Sequence, residues 1–204
     1  MISSRFRGNK TFMDNWQTLI KEKEYNDLLI EWNKKINLVS RRRTDVFDLI
    51  ENSKLFFGGI NFEEGIRILD LGTGGGLPGI VIAINHPEVK VTLVDSIQKK
   101  INVVRDIVKK LDLTNTEILC IRAEELANNT PYKQQFSYVV ARSVAVLQDL
   151  CKWSKDLVKP GGKLITIKGG EIKGELNASK KLKYVKDITV IPKDDRNIII
   201  VEIG

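Results

Sequence analysis

The segment Gly65-Ile66-Arg67-Ile68-Leu69-Asp70-Leu71-Gly72-Thr73-Gly74-Gly75-Gly76-Leu77-Pro78-Gly79 is the most informative in the chain. It starts as a short apolar run, the pattern of a strand buried on both faces. Glycines then crowd a turn, and Pro78 stands where a helix can open without losing a hydrogen bond, ahead of Gly79-Ile80-Val81-Ile82-Ala83-Ile84-Asn85-His86. A glycine-rich turn from strand into helix leaves backbone N–H groups at the helix start, and without Cβ atoms a ligand can lie against the main chain. The next apolar run, Val89-Lys90-Val91-Thr92-Leu93-Val94-Asp95, ends in an acid nineteen residues beyond Gly76. A carboxylate there can take both hydroxyls of a ribose, so turn and acid together point to an adenosine-type cofactor.

On the C-terminal side the alternation continues. A helical period over residues 97–111 is followed by strand patterns at 116–122 and 136–142, with a short helix after Ala123 between them. A helix through Leu147, Leu150, Trp153 and Leu157 then leads, past Pro160-Gly161-Gly162, to the strand at 163–169. Strands alternating with helices imply a parallel, doubly wound α/β sheet. The tail breaks the rhythm: after a charged helix around 171–183, two strand patterns follow with only Pro192-Lys193-Asp194-Asp195-Arg196 between them. So short a connection joins only antiparallel neighbours, giving five parallel strands and a terminal hairpin, seven strands in all.

On the N-terminal side the character is helical. Leu28, Leu29, Trp32 and Ile36, extended backward by Leu19 and Tyr25, form the stripe of an amphipathic helix from Phe12 to Leu38. Thr44 can cap a second helix through Val46, Phe47, Leu49, Ile50 and Phe56 that stops at Gly58-Gly59. Residues 1–64 thus read as a helical extension and 65–204 as the α/β domain.

Composition excludes several classes. With 204 residues, 42% hydrophobic and 29% charged, the chain suits one folded unit and not a disordered one. Cys120 and Cys151 stand alone in apolar contexts, read as small buried residues, so neither a disulfide framework nor a zinc ribbon is expected, and no metal site. No signal peptide or membrane span is legible, so the expectation is a cytoplasmic protein. The net charge of +7 comes mostly from residues 150–204, with 12 basic against 7 acidic side chains, and Arg41-Arg42-Arg43 is a local run near the front. That balance favours a polyanionic partner.

Gly74-x-Gly76-x-x-Gly79 satisfies a dinucleotide fingerprint literally, which keeps a nicotinamide-dependent oxidoreductase in play. The register favours another cofactor. The first close turn is Gly72, preceded by Asp70, and Asp-x-Gly-x-Gly-x-Gly resembles the first motif of class I S-adenosylmethionine methyltransferases, with their Rossmann-like fold. In that resemblance Asp70 orients the loop or meets the cofactor's ammonium group, Ala123 and Glu124 lie near the adenine, and Pro160-Gly161-Gly162 and the terminal hairpin fit as well. After the fourth strand Ala141-Arg142-Ser143-Val144 replaces the Asn/Asp-Pro-Pro-aromatic tetrad of enzymes that methylate exocyclic amines. Neither cysteine is placed as the nucleophile that methylation of a pyrimidine carbon needs. The single His86 reads as a turn residue at the far edge from the ligand-binding strand ends. A site lacking base and nucleophile suits an acceptor already nucleophilic at neutral pH, such as guanine N7.

Trp32-Asn33-Lys34-Lys35-Ile36-Asn37-Leu38-Val39-Ser40, the 70–80 loop, Leu93-Val94-Asp95-Ser96, Arg122-Ala123-Glu124-Glu125, Ala141-Arg142-Ser143 and Lys168-Gly169 occur in the order seen in a known family. Over residues 25–204 the chain resembles the bacterial small-subunit ribosomal RNA methyltransferase G family, also called glucose-inhibited division protein B. The resemblance implies N7 methylation of one guanine in the decoding-region loop of 16S RNA, with S-adenosylmethionine as cofactor. Gly72, Leu77, Ala123, Glu124 and Arg142 match the family's cofactor contacts; Asp70, Gly74 and Asp95 join them from the loop reading. Arg142 and Lys168, at strand ends, are candidates to act on the acceptor, and Asn37, Arg41, Arg42 and Arg43 to hold RNA, with Asn37 alternatively capping the helix it ends. The expected partner is 16S RNA or the small ribosomal subunit, met by a monomer, with no DNA or membrane involved. The sequence departs from the family in the second helix, where Asp48-Leu49-Ile50-Glu51-Asn52-Ser53 stands for Arg-His-x-x-Asp-Ser, so that helix is expected to contribute less to the substrate. A noncatalytic RNA-binding protein on the same fold is the competing class.

Overall fold

The run at 67–71 is an inner strand of the sheet, β1 (Arg67–Leu71), in a computed structural model that describes residues 3–58, 60, 62, 63, 65–128 and 130–204, with residues 3–14 and 130 described by their backbone alone. It pairs in parallel with β2 (Lys90–Asp95) on one side and β4 (Phe136–Arg142) on the other. β3 (Thr116–Cys120) extends the sheet beyond β2, and β5 (Val158–Gly169) beyond β4. β7 (Arg196–Ile203) runs antiparallel between β5 and β6 (Val185–Lys193). The order β3-β2-β1-β4-β5-β7-β6 is the expected seven-stranded sheet with five parallel strands and a terminal hairpin. Strand order reverses between β1 and β4, and a crevice at the carboxyl ends of strands there is where ligands bind in open α/β sheets.

The period of two sorts side chains to the two faces. Ile68, Val140, Ile165 and Ile167 join the cluster beneath the N-terminal helices, while Leu69, Leu71, Val139, Ala141 and Leu164 join the cluster on the opposite face. The first face carries α3 (Gly79–Asn85) and α4 (Gln98–Lys110), the second α5 (Ala123–Asn128), α6 (Leu147–Ser154) and α7 (Lys173–Ser179). Gly79, Ile80, Val81, Ile82, Ala83 and Ile84 are all buried, which is why α3 is apolar all round: α1 (Ser3–Asn33) and α2 (Phe47–Lys54) cover its outer side. Tyr25 and Leu29 of α1 and Ile50 of α2 share one cluster with α3. Among the described residues, no helix is long and apolar enough to cross a membrane.

Several local expectations are corrected. α1 starts at Ser3 and ends at Asn33, not Leu38, and Leu19 lies off its buried face, 56% exposed. Leu28, Trp32 and Ile36 are half-buried against the core as expected, with the Trp32 indole donating to Asp106 at 2.8 Å. Thr44 does not cap α2: the Val46 N–H at its start donates to Asn26 Oδ1 of α1 at 2.8 Å, a tertiary cap invisible to local patterning. Phe56 lies in the turns after α2, and Gly59, expected to stop it, falls outside the described residues. α6 ends before Leu157, α7 is shorter than the charged pattern, Pro160-Gly161-Gly162 lies inside β5 at a register shift, and the hairpin turn is only Asp194-Asp195. Cys120 is exposed, because it closes β3, the edge strand, none of whose residues is fully buried, whereas Cys151 is buried and its thiol is pushed up to about 11 by burial.

Candidate active site

The glycine turn is held from behind by Asp70. This carboxylate is fully buried, and its Oδ2 accepts from the Thr73 hydroxyl at 2.6 Å and from the Gly79 N–H at 2.8 Å, tying both ends of the turn together. Gly79 is required by this tie, because a Cβ there would overlap Leu93 and lie 2.6 Å from the same carboxylate oxygen. The N–H groups of Gly72 and Thr73 both donate to Val94 O, hooking the turn over the end of β2. Gly72 has φ +75°, and a Cβ on it would come within 2.6 Å of Val144, the residue that closes over it from the end of β4. Asp95 faces the turn: one oxygen accepts from the Gly74 N–H at 3.0 Å, the other from the Ile97 N–H at 2.9 Å, with Lys100 Nζ at 4.0 Å.

Two cavities open on either side of Gly72. One, of about 320 Å³, has apolar walls from Leu71, Val94, Ile121 and Trp153, with Ala123 beside them and Asp95 and Glu124 among its polar residues. The other, of about 600 Å³, is bounded by the glycine turn and Leu77, by Leu38, Arg43 and Leu49 from the N-terminal region, and by Arg142 and Arg196 from the sheet. Gly72, Lys100 and Ser143 line both, so the two are neighbouring halves of one site. Ser143 turns the chain out of β4 at φ +55°, a left-handed conformation uncommon for a residue with a side chain.

Arg142 sits at the floor of the larger cavity. By strand parity it falls on the same face as Val140, toward Tyr25, whose hydroxyl donates to Gly75 O at 3.1 Å. Burial lowers the Arg142 guanidinium from its ordinary range; the Asp70 carboxylate and Tyr25 oppose that, and Arg196 and Arg43 add to it. Burial likewise lifts Asp70 to about 6, against the Thr73 and Gly79 hydrogen bonds and the charge of Arg142. Tyr25 is lifted by burial as well. Asp70 Oδ1 and Arg142 Nη1 are both buried without a hydrogen-bond partner among the described residues, and the two charges act on each other through space.

The site gathers most of the expected residues. Gly72, Asp95, Ala123 and Glu124 line the smaller cavity, and Gly74, Leu77, Arg43 and Arg142 the larger. Asp70 lines neither: of its two expected roles it orients the loop, and its remaining oxygen is buried behind the turn. Lys168 is also placed elsewhere. One position along β5 from Ile167, it falls on the opposite face, where its ammonium donates to Ala145 O at 2.9 Å and pairs with Glu175 at 2.8 Å. Although partial burial works the other way, Lys168 and the Leu147 N–H hold the Glu175 carboxyl below its usual range. Lys168 thus fastens the loop after β4 and the start of α6 to α7.

Asn37 is exposed and does not cap α1, which ends four residues earlier. The organising residue there is Asn33, 6% exposed, whose Oδ1 accepts from the Leu38 and Val39 N–H groups and whose Nδ2 donates to Ser40 O. Arg41 and Arg42 point outward, while Arg43 is paired with Asp48 through two bonds of 2.6 and 3.0 Å. α2 does reach the site, through Leu49, which adds an apolar side chain to the larger cavity. His86 packs edge-on between Phe57 and Phe62, away from both cavities. Sequence reasoning missed Asn33, Tyr25, Lys100 and Arg196. Asn33 lay inside a quoted motif, but the other three carried no local signal, since only folding brings them to the turn.

The model of the family described as rRNA small subunit methyltransferase G (GidB) matches residues 19–195. The chain is 43% identical over 164 residues to ribosomal RNA small subunit methyltransferase G of Chlorobium chlorochromatii (strain CaD3), covering 78% of this chain and 68% of that protein. It is 34% identical over 194 residues to the protein of the same name from Clostridium novyi (strain NT), covering 88% and 78%. A SAM-dependent methyltransferase from Aquifex aeolicus superposes with a TM-score of 0.58 at 18% identity, over 78% of this chain and 93% of that one, a likeness of fold.

Proposed function

Because the chain belongs to the rRNA small subunit methyltransferase G family, we propose that it methylates N7 of one guanine in the decoding-region loop of 16S RNA, with S-adenosylmethionine as donor. The observation that carries this is the pair of cavities meeting at Gly72, one suited to an adenosine and the other ringed by Arg43, Arg142 and Arg196. Residues 1–64 serve as a helical extension and 65–204 as the methyltransferase domain.

The residues present fit the cofactor. The smaller cavity offers apolar walls for a flat base, the Asp95 carboxylate for ribose hydroxyls, and Ala123 with Glu124 beside the adenine position. Gly72, Gly74 and Leu77 leave a cradle along the turn. S-adenosylmethionine supplies there a methyl group made electrophilic by the sulfonium charge. The chain's own contribution is alignment, exclusion of water and a fixed field. Arg142 offers a buried guanidinium whose Nη1 lacks a partner, suited to a carboxylate or to guanine O6, leaving the N7 lone pair free to attack. Leu38 and Leu49 give the larger cavity apolar wall against a base. N7 carries no proton, so the reaction needs no general base. Asn37, Arg41, Arg42 and Arg43 stand on the side where RNA enters.

Mass mapping of modified nucleotides in small-subunit RNA incubated with the protein and S-adenosylmethionine tests the reading: one 7-methylguanosine is expected, and methyl on adenine N6 or a pyrimidine carbon overturns it. Calorimetry should show binding of S-adenosylmethionine and its demethylated product but not of NAD, and NAD binding would return the oxidoreductase reading.

A further inference from the structure

Outside the reaction cavity, a groove of about 520 Å³ runs between the end of α1 and the loop that follows, lined by Ile30, Asn33, Lys34, Arg41, Arg43 and Thr44. It has three cations and no acid. We propose that this groove docks backbone phosphates of the RNA strand flanking the target nucleotide, gripped by Lys34 and Arg41, with Arg43 at the threshold between groove and reaction cavity. The proposal deepens the function proposed above and rests on it for the identity of the strand.

Four observations converge on it. Lys34 and Arg41 are exposed and have no partner among the described residues, whereas Lys35, Arg43 and Lys54 nearby each pair with a carboxylate. Residues 1–64 carry 11 basic and 10 acidic side chains, an almost even balance, yet the groove lining gathers three of the basic ones and no acid. The floor is built in advance: Asn33 is buried and its side chain is spent on three backbone groups of residues 38–40, so the groove has its shape before any strand arrives. Arg43 lines both the groove and the reaction cavity, which makes them one path.

Arg43 adds a device of its own. Its two bonds to Asp48 satisfy a guanidinium fork, the geometry that also takes a phosphate. The Asp48 side chain is half exposed, so the pair is weak enough for a phosphate to displace the carboxylate. Asp48 therefore holds Arg43 at the threshold until RNA replaces it.

The test is the salt dependence of binding of intact small ribosomal subunits to the full chain, for the parent, for Lys34→Gln/Arg41→Gln, for Asp48→Asn, and for Lys180→Gln/Lys181→Gln as a control on an exposed face far along the chain. Loss of the groove cations should lower the slope of log affinity against log salt by about one to two units and raise KM about tenfold. Cofactor affinity by calorimetry and the thermal midpoint should match the parent. Asp48→Asn should tighten subunit binding by up to about fivefold. Equal slopes for the groove variant and the parent, or a fall confined to the control pair, overturn the proposal. A parent that methylates N7 while the groove variant keeps its slope and KM retains the function and loses the groove. A parent that transfers no methyl while the groove variant loses slope retains the groove and loses the function.

Discussion

The larger cavity has two unlike walls. Toward the sheet stand Arg142 and the glycine turn, the turn backed by the buried Asp70 and Tyr25 through short hydrogen bonds, where even a Cβ on Gly79 has no room. Toward the N-terminus stand half-buried Leu38, Leu49 and Arg43, and beyond Arg43 the exposed cations Lys34 and Arg41, on a scaffold organised by one asparagine. The first wall is close-packed, so a change is transmitted whole. The second acts through charges in water, where each contributes little and salt attenuates it. The contrast suits a site that must hold a small cofactor in one pose and admit a large, charged, variable strand.

Replacing Arg142 with Gln should separate the walls most sharply. Methyl transfer is expected to fall by about 100- to 1000-fold, the usual consequence of removing a charge-stabilising donor, with the salt slope of RNA binding unchanged. A variant that loses slope but keeps turnover would move Arg142 to the RNA-facing side.

Asp70 predicts a pH signature confined to the packed wall. The unfolded carboxyl titrates near 3.8 and the folded one at about 6, so the folded state keeps its proton longer. Stability from this group is fully present below the unfolded value and is lost as pH rises through about 6, by up to about 3 kcal/mol. Urea titrations of Asp70→Asn between pH 4 and 7 should lack that decline. An identical decline in the variant would assign it to other groups.

Gly79→Ala should cost about 1–3 kcal/mol by urea denaturation through overpacking against Leu93 and Asp70, and weaken S-adenosylmethionine binding in parallel. Unchanged stability would mean the turn yields where the packing says it cannot. Asn33→Ala should cost about 1–2 kcal/mol, leave cofactor affinity intact and raise KM for RNA, since it removes three hydrogen bonds that shape the outer wall. Smallest of all, Lys168→Met should lower stability by about 1 kcal/mol through loss of the Glu175 tie, with turnover close to the parent; a large loss of turnover would restore Lys168 to the site.

The sheet, the glycine turn with its facing acid and the family were legible in the chain because each rests on local signals: apolar runs of strand length, glycine where backbone must come close, an acid at the end of β2. Ala123, Glu124 and Arg142 were reachable for the same reason, as residues at strand ends. What local signals misjudged were residues whose role depends on a face or a distant partner. Lys168 and Arg142 look alike as basic residues closing neighbouring strands, yet strand parity sends one to Glu175 and the other to Tyr25. Cys120 reads as buried until β3 proves to be the edge strand. Asn37 and Thr44 read as caps, but Asn26 holds the start of α2 and Asn33 shapes the loop after α1, each by reaching backbone groups five to twenty residues away. The chain's local chemistry determined which elements form and where the glycine turn and its facing acid lie. Tertiary packing decided which side chains meet there, because a hydrogen bond or a buried charge depends on neighbours brought together only by the closed fold.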